Sequence, residues 1–356
     1  MRNLGVALLT AGLWAQSAPD LVLERALETP VITVNSPGAG DNRHGFEGGR
    51  ALKLDGMYHL FTSEMVGDPF WVKMKLAHWR SRDRLHWERV STLYESSGEF
   101  EGKDPRAALW APMPVYDEAE GVWNLFYVAY RSAPDQGGRM LRNHAGTIWR
   151  AVSTVKGRAG IGGPYRDMGI ILQPGKDSEP WEGLQGTDSF FPYRVGRRWL
   201  GFYGSAKTEK SPIEFWGVGL AEAPRLAGPW KRLPQYNPVL IDRRFTENPV
   251  VTRLPDGSYI AVCDTFVDNA VAYTWSADGL HWSPGRPLIV QPKGKGVWAD
   301  DVRTPLGLIP EGGGRYTLFY TGYQKKPGDP WGVAAVGMVE VRRVRAQSYR
   351  RPASPF

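Results

Sequence analysis

The sequence contains a single cysteine, Cys263, among its 356 residues. An internal disulfide is therefore excluded, and the fold must be stabilised by packing. No stretch approaches the roughly 18 uninterrupted apolar residues that a membrane-spanning helix requires, which argues against a membrane protein. The 6 histidines show none of the spacings typical of metal ligands. We therefore assign no metal ligand and predict no cofactor.

The distribution of basic and aromatic residues favours one class of ligand over another. The net charge of +7 is diffuse, with its densest local source in residues 342–345 and 349–351. Basic and aromatic residues are not interleaved there as they are on nucleic-acid-binding surfaces, so we predict no nucleic-acid partner. The 15 Trp, 15 Tyr and 13 Phe residues instead supply flat rings that stack on weakly polar ligands such as sugars.

The first 18 residues are typical of an export signal. Arg2 supplies the positive start, residues 4–15 form a short apolar stretch, and residues 15–18 are small or polar as a cleavage site requires. We therefore predict a secreted or periplasmic protein. Its mature part, residues 19–356, is expected to be one domain with a basic C-terminal tail and to be a monomer.

An apolar strand, a Gly- or Asp-marked turn and an aromatic-rich strand follow one another five times along the chain. The five copies are residues 51–62, 114–129, 191–205, 250–264 and 306–321. The matching aromatic residues, which lie 65, 76, 60 and 57 residues apart, are Tyr58, Trp123, Trp199, Tyr259 and Tyr316. One such β-hairpin cannot bury its apolar face alone, so the copies must stack. The repeat predicts an all-β fold, a five-bladed β-propeller of mostly antiparallel four-stranded blades.

A third strand with an alternating pattern follows each hairpin. These strands are residues 74–80, 146–154, 216–221, 269–276 and 331–339. Two of them end in matching turns, residues 81–87 and 276–282, in which an Asp side chain can bond to its own turn backbone. We interpret these turns as structural, and we expect Cys263 to be a small buried residue of its strand.

Acidic residues recur at the start of three innermost strands. Glu47 and Asp188 each lie eleven residues before the aromatic residue of their hairpin, and Glu247 lies twelve residues before its own. Equivalent positions in propeller blades converge on the axis, so the three carboxylates should share one pocket. Crowded carboxylates repel each other, which raises the pKa of some of them. Cleavage of a glycosidic bond requires this combination of a protonated acid and an ionised base.

The other two repeats contribute different residues at this point. In the second repeat the count ends at Pro112, and in the fifth the nearby polar residues include Asp301 and Arg303. Arg50 and Arg303 could hold an acidic sugar or fix a carboxylate, and Arg303 could equally pair with Asp301. Three tryptophans near the strand mouths are candidates for stacking on sugar rings: Trp110, Trp181 and Trp298.

Several of these segments resemble the five-bladed propeller glycosidases, especially glycoside hydrolase family 43. Residues 187–192 (TDSFFP) look like that family's segment with a pKa-modulating Asp, and residues 246–249 (TENP) look like its acid segment. Residues 110–112 (WAP) look like the Trp-Ala-Pro sequence that the family has in its second blade. The resemblance covers nearly the whole mature chain. It implies that Glu247 is the acid and that Asp188 modulates the pKa of that acid.

The first blade departs from the family pattern. The family's base is an Asp followed by Pro, whereas this chain has Phe46, Glu47 and Gly48. Glu47 is the nearest acid and Asp41 is the second candidate. The fifth blade also lacks the His that often supports a central metal in the family. The resemblance therefore implies a divergent member of the family that has no metal-binding His in its fifth blade.

These observations predict an exported glycoside hydrolase that acts on poly- or oligosaccharides and inverts the anomeric centre. Two alternatives stay open. One is a retaining, family 32-like fructosidase, which differs in its carboxyl separation, about 5–5.5 Å against about 6.5–9.5 Å for inversion. The other is a propeller that binds carbohydrate without cleaving it.

Overall fold

The computed structural model describes residues 18–291 and 298–344, which form five antiparallel four-stranded sheets arranged as a five-bladed β-propeller. We number the blades in the chain order of their innermost strands. Blade one consists of β2 (Gly45–Leu54), β3 (Met57–Met65), β4 (Met74–Ser81) and β5 (Glu88–Glu95). Blade two consists of β6 (Ala108–Asp117), β7 (Val122–Arg131), β8 (His144–Lys156) and β9 (Tyr165–Leu172).

Blade three consists of β10 (Asp188–Val195), β11 (Arg198–Ala206), β12 (Trp216–Ala223) and β13 (Lys231–Arg232). Blade four consists of β14 (Val250–Arg253), β15 (Tyr259–Cys263), β16 (Ala270–Ser276) and β17 (Arg286–Ile289). Blade five consists of β18 (Asp301–Gly312), β19 (Arg315–Lys326), β20 (Asp329–Val344) and β1 (Asp20–Ala26). The predicted fold class is therefore confirmed, and all five predicted hairpins and third strands fall on strands of the expected blades.

Burial differs between the inner and outer strands of each blade. In blade two, every residue of β7 except the last is buried, because neighbouring blades cover both faces of an inner strand. The outer strand β9 alternates between exposed and half-buried residues up to its buried last residue, Leu172, as expected of a blade edge. Cys263 at the end of β15 is fully buried, as predicted, and its burial raises the pKa of the thiol.

The ring is closed by the first strand of the chain. β1 pairs antiparallel with β20, so that Asp20 lies opposite Val344 and the N-terminal strand becomes the outermost strand of blade five. The sequence repeat did not reveal this, because β1 lies outside the hairpin phrase. The closure joins the two ends of the described chain in one sheet.

The two matching turns have the structural role that the sequence predicted. Asp83 Oδ1 accepts the backbone N–H groups of Leu85 at 2.9 Å and His86 at 2.8 Å. Asp278 Oδ1 accepts the corresponding N–H groups of Leu280 at 2.8 Å and His281 at 2.9 Å. Both turns lie on the surface, away from the propeller axis.

Most of the predicted export signal, residues 1–17, lies outside the described residues, whereas Ala18 is buried against the core. The first part of the predicted tail is the end of β20, where Arg342 pairs with Glu24 and Arg343 Nη1 lies 3.1 Å from Asp256. Residues 345–356 lie outside the described part of the chain. None of the helices described is long and apolar enough to cross a membrane.

Candidate active site

A β-bulge near the start of the innermost strand sets the direction of the axial side chain in the first three blades. The pairing register shifts after Glu47 in β2, after Trp110 in β6 and after Asp188 in β10. The next residue in each case has a positive φ: 68° at Gly48, 50° at Ala111 and 51° at Ser189. In blade two the axial residue is therefore Trp110, and the sequence count that ended at Pro112 was wrong because the turn of that hairpin is longer.

Blade four repeats the same local geometry. Asn248, the residue after Glu247, has a φ of 50°. The backbone N–H group of Asp264 donates to the carbonyl of Glu247 at 3.0 Å, so the pairing extends beyond the end of β14. Glu47, Asp188 and Glu247 thus occupy equivalent positions on three blades, as the sequence predicted.

These axial residues line one cavity of about 440 Å³. Five aromatic side chains from the mouth loops and strand ends also line it: Trp71, Trp110, Trp216, Phe245 and Phe266. Phe245 and Phe266 are stacked with ring centroids 4.3 Å apart, and Phe266 is 69% exposed. The cavity is therefore acidic at its floor and aromatic along its walls, which suits a polar ligand with flat faces.

The Arg303 guanidinium lies where the carboxylates converge. Its Nη2 atom is 3.5 Å from Glu47 Oε1 and 3.5 Å from Glu247 Oε2, and 3.8 Å from Asp264 Oδ2. The sequence left open whether Arg303 binds a sugar, fixes a carboxylate or pairs with Asp301. In the structure Arg303 fixes carboxylates, and three of them share the charge of its guanidinium.

Glu47 is held by two donors. The Tyr323 hydroxyl donates to Glu47 Oε2, and Tyr323 in turn accepts a hydrogen bond of 3.3 Å from Trp71 Nε1. On its other oxygen Glu47 faces Arg303. This phenol comes from β19 of blade five, so neither the hairpin count nor the family resemblance pointed to it.

Glu247 and Asp188 lie close enough to interact directly. Burial raises the pKa of Glu247 well above its ordinary value, and the charges of Asp188 and Asp264 raise it further, while Arg303 opposes them. Burial also raises the pKa of Asp188, against a hydrogen bond from the Tyr130 hydroxyl that lowers it. Glu247 is therefore suited to hold a proton at a higher pH than a free carboxyl does.

Asp264 is a fourth carboxylate that the sequence count missed. It is buried, and its Oδ2 atom accepts from Asn248 Nδ2 at 3.3 Å and from Thr304 Oγ1 at 3.4 Å. Burial raises its pKa to about 7, against the charge of Arg303. The signal was present in the sequence, because Asp264 lies five residues after Tyr259 and faces the axial residue across the hairpin.

The arrangement does not fit a divalent cation at the centre of the carboxylates. Arg303 occupies the point that Glu47, Glu247 and Asp264 share. In the described part of the chain, no group of three or more His, Cys, Asp or Glu side chains is arranged to hold a metal ion. The positive charge at this axis is therefore supplied by the chain itself.

Several buried polar atoms around the cavity have no hydrogen-bond partner among the described residues. They include Gln185 Oε1 and the indole Nε1 atoms of Trp110 and Trp216. A buried polar group without a partner is costly, which favours a ligand that satisfies it. The cavity therefore offers both acceptors and donors to a hydroxyl-rich molecule.

Two of the predicted stacking tryptophans do not line this cavity. Trp181 packs against Tyr203 with ring centroids 5.5 Å apart, and Trp298 stacks on Tyr320 at 5.9 Å. Both are buried in the core between strands. The correction has a simple physical reason: an aromatic residue near a strand mouth satisfies the same sequence pattern whether its ring points to the axis or into the blade.

Three further predicted residues also lie away from the cavity. Arg50 lines a separate cavity at the far halves of the innermost strands, where it donates to the Pro114 carbonyl at 2.5 Å. Asp301, the first residue of β18, is half-buried and does not line the acidic cavity. Asp41, the second candidate for the base, pairs with Lys75 at 2.9 Å on the surface. The hydrogen bond from that lysine lowers the pKa of Asp41.

No protein-family model matches the chain, and no curated protein sequence matches it. Several solved structures, however, match the chain in fold. The fold is that of the five-bladed propeller glycosidases. A family 117 glycoside hydrolase from the marine bacterium Zobellia galactanivorans aligns with a TM-score of 0.62 at 13% identity, covering 92% of this chain and 91% of its own.

Two further structures represent other families of the same fold. The GH43_1 enzyme from Xanthomonas citri, complexed with xylotriose, aligns with a TM-score of 0.55 at 15% identity, covering 93% of each chain. The GH32 β-fructofuranosidase from Bombyx mori aligns with a TM-score of 0.58 at 15% identity, covering 90% of this chain and 64% of its own. The expected resemblance to these glycosidases is thus confirmed for the fold, at the low identity of a divergent chain.

Proposed function

We propose that this protein is a glycoside hydrolase that cleaves a glycosidic bond in an oligo- or polysaccharide. One observation carries the proposal: carboxylates from blades one and four meet at one guanidinium, and a blade-three carboxylate lines the same aromatic-walled cavity. The solved structures of the same fold described above are glycoside hydrolases, and one of them is complexed with xylotriose. Both points support a carbohydrate as the substrate.

Glu247 is the general acid in this proposal. Its pKa is raised by burial and by the charges of the neighbouring carboxylates, so it keeps its proton to a higher pH than a free carboxyl does. That proton goes to the glycosidic oxygen as the bond to the anomeric carbon breaks. Asp188 is the charge that keeps the pKa of the acid high, and the hydrogen bond from the Tyr130 hydroxyl favours the charged form of Asp188.

Glu47 is the base in this proposal. It accepts from Tyr323 and faces Arg303, so that its charged form has two partners while it removes a proton from the attacking water. Glu47 Oε1 and Glu247 Oε2 each lie 3.5 Å from the same Arg303 nitrogen, so they are no more than twice that distance apart. That limit is compatible with inversion and with retention. We propose inversion because of the resemblance to family 43.

The experiment that tests the assignment uses aryl glycosides whose leaving groups differ in acidity. A good leaving group needs no protonation, so Glu247→Gln should spare its hydrolysis while the activity on natural linkages falls by about 10²–10⁴-fold. Glu47→Gln should slow all substrates alike. Proton NMR of the released sugar would report the anomeric configuration.

Glu222→Gln is the matched control, since Glu222 lies on the surface paired with Arg198 at 2.6 Å. An unchanged rate in Glu247→Gln on every substrate would overturn the acid assignment. Binding of oligosaccharide without any turnover, in the parent as well as the variants, would instead identify a propeller that holds carbohydrate without cleaving it.

We also propose that the protein is exported. The support is the sequence of the first 18 residues, with Arg2 followed by a short apolar stretch and small residues. Expression of the full chain, followed by fractionation and N-terminal sequencing, tests this. Full-length protein retained in the cytoplasm would contradict it.

A further inference from the structure

Two arginines at the rim of the active-site cavity differ from the arginine at its centre. Arg142 and Arg244 both line the cavity, on loops of blade two and of the connection between blades three and four. Within the described residues, neither has a carboxylate at ion-pair distance, whereas Arg303 has three. Two cations thus face the cavity without a counter-charge from the protein.

The loop that carries Arg142 is held in a defined shape. Asp135 Oδ1 accepts the backbone N–H groups of Leu141 at 2.8 Å and of Arg142 at 3.1 Å. The N–H group of Met140 donates to the Thr208 carbonyl at 2.9 Å, which ties the loop to blade three. The Arg142 guanidinium lies 6.0 Å from the ring centroid of Phe100, and its Nε is buried without a partner in the part of the chain described.

The loop that carries Arg244 is constrained in the same manner. Asp242 Oδ1 accepts the N–H groups of Arg244 at 2.9 Å and of Phe245 at 3.2 Å. The Arg244 carbonyl accepts from the Trp216 N–H at 3.0 Å, which fixes the loop to β12. The Arg244 side chain is exposed at the rim. In both loops an Asp side chain organises the backbone, so the backbone position of each arginine is set before a ligand binds.

The charges on the cavity wall leave the rim positive. The axial carboxylates lie at the floor of the cavity, where Glu47, Glu247 and Asp264 share the charge of Arg303. Asp135 also lines the cavity, with one oxygen engaged by its own loop. A neutral sugar would leave both rim guanidinium groups without an acceptor of matching charge.

We propose that the substrate carries an anionic group, a uronate carboxylate or a sulfate ester, which Arg142 and Arg244 bind at the rim of the cavity. This inference rests on the proposed function and specifies its substrate class. The sugar at the floor meets the axial carboxylates, and the anionic group is turned outward, away from them. Such an arrangement separates the negative group of the substrate from Glu47 and Asp188, where repulsion would oppose binding.

The test measures binding and turnover separately, on pairs of oligosaccharides that differ only in charge. Uronate-containing oligosaccharides are compared with the same material after reduction of the carboxyl groups, and sulfated oligosaccharides with the same material after desulfation. Affinity is measured by calorimetry on Glu247→Gln, so that no turnover interferes, and rates are measured on the parent. The two pairs distinguish a carboxylate from a sulfate.

We expect one acidic pool to bind at least about tenfold more tightly than its neutral counterpart, because a charged acceptor makes stronger hydrogen bonds with a guanidinium than a neutral one does. Arg142→Gln and Arg244→Gln, each in the Glu247→Gln background, should each remove most of that difference. Arg139→Gln and Arg243→Gln are the matched controls, because both are exposed neighbours that do not line the cavity. Added salt should weaken binding of the acidic pool alone.

Equal affinity for acidic and neutral pools, or a preference untouched by the two rim variants, overturns the anionic site. Hydrolysis of neutral oligosaccharides in that case leaves the proposed glycosidase activity standing. Tight, arginine-dependent binding of an acidic pool without turnover supports the anionic site and rejects the hydrolase. The two proposals therefore fail in different measurements.

Discussion

Asp264 lies directly opposite Glu247 across the first hairpin of blade four, and its backbone N–H donates to the Glu247 carbonyl at 3.0 Å. The side chains of both residues reach the same guanidinium, that of Arg303. A pair of carboxyl groups on one hairpin thus shares one cation from the next blade. The protonation of either group depends on the charge of the other, which makes the axial site sensitive to single substitutions.

Asp264→Asn should narrow the pH range of activity from its alkaline side. The charge of Asp264 raises the pKa of Glu247, so removing it lowers the pKa of the acid. The acid then loses its proton at lower pH, and we expect the alkaline limb of the kcat/KM profile to move down by up to about one pH unit. Asp268→Asn, an exposed acid on the loop after β15, should leave the limb in place. An unmoved limb in Asp264→Asn would exclude this coupling.

Arg303→Met should destabilise the protein more at high pH than at low pH. Without the guanidinium, Glu47, Glu247 and Asp264 repel, and the pKa values of Glu247 and Asp264, which burial already raises, rise further above those of the unfolded chain. Folding then takes up protons, so stability is present at acidic pH and is lost as pH rises. We expect a loss of about 3–5 kcal/mol where the carboxylates are ionised. Urea unfolding of the parent and the variant at pH 5 and pH 8 measures this loss of stability.

Arg253→Met is the control for that experiment, because Arg253 is exposed at the end of β14. It should change the free energy of unfolding by no more than about 0.5 kcal/mol at either pH. A loss in Arg303→Met that is equal at both pH values would contradict the role of Arg303 as the counter-charge and would indicate a packing role instead.

Gly49→Ala should disrupt the bulge that directs Glu47 to the axis. Gly49 has a φ of 123°, and a Cβ atom there would lie 2.0 Å from the Phe61 carbonyl oxygen. The backbone of β3 would have to move, so we expect destabilisation of more than about 2 kcal/mol together with a loss of activity. Gly56→Ala is the control for the cost of a positive φ alone, because Gly56 has a φ of 83° and no atom lies within 4 Å of an added Cβ. Equal effects of the two variants would show that the contact with Phe61 is unimportant.

His78→Gln should make stability less dependent on pH in the acidic range. His59 Nδ1 and His78 Nε2 are 2.9 Å apart and buried between blades, and burial lowers the pKa of His59 to about 4 and of His78 to about 3. The unfolded chain binds protons near pH 6.5, before the folded one, so stability falls as pH drops below that value. Removing one histidine should reduce this slope by up to about 1.4 kcal/mol per pH unit. Unfolding measured from pH 7 to pH 4 tests it, and identical slopes would refute it.

The sequence was most informative where the backbone repeats. A hairpin phrase with one aromatic residue per copy predicted five blades, because each copy has the same face to bury against its neighbours. The spacing to Glu47, Asp188 and Glu247 held in three dimensions because each of them is followed by a residue of positive φ and lies six residues before the strand partner of its hairpin aromatic residue. It failed for Pro112, where a longer turn moved Trp110 into the axial position.

The sequence by itself therefore determined the propeller and the three axial carboxylates, since both follow from local pairing of strands that adjoin in the chain. Only the tertiary structure decided what surrounds those carboxylates. Tyr323 reaches Glu47 from a segment 276 residues away, and Arg303 joins acids of two other blades. Such contacts depend on how blades close into a ring, which no local spacing encodes. The same reason separates Trp110, which lines the cavity, from Trp181, which fills the core.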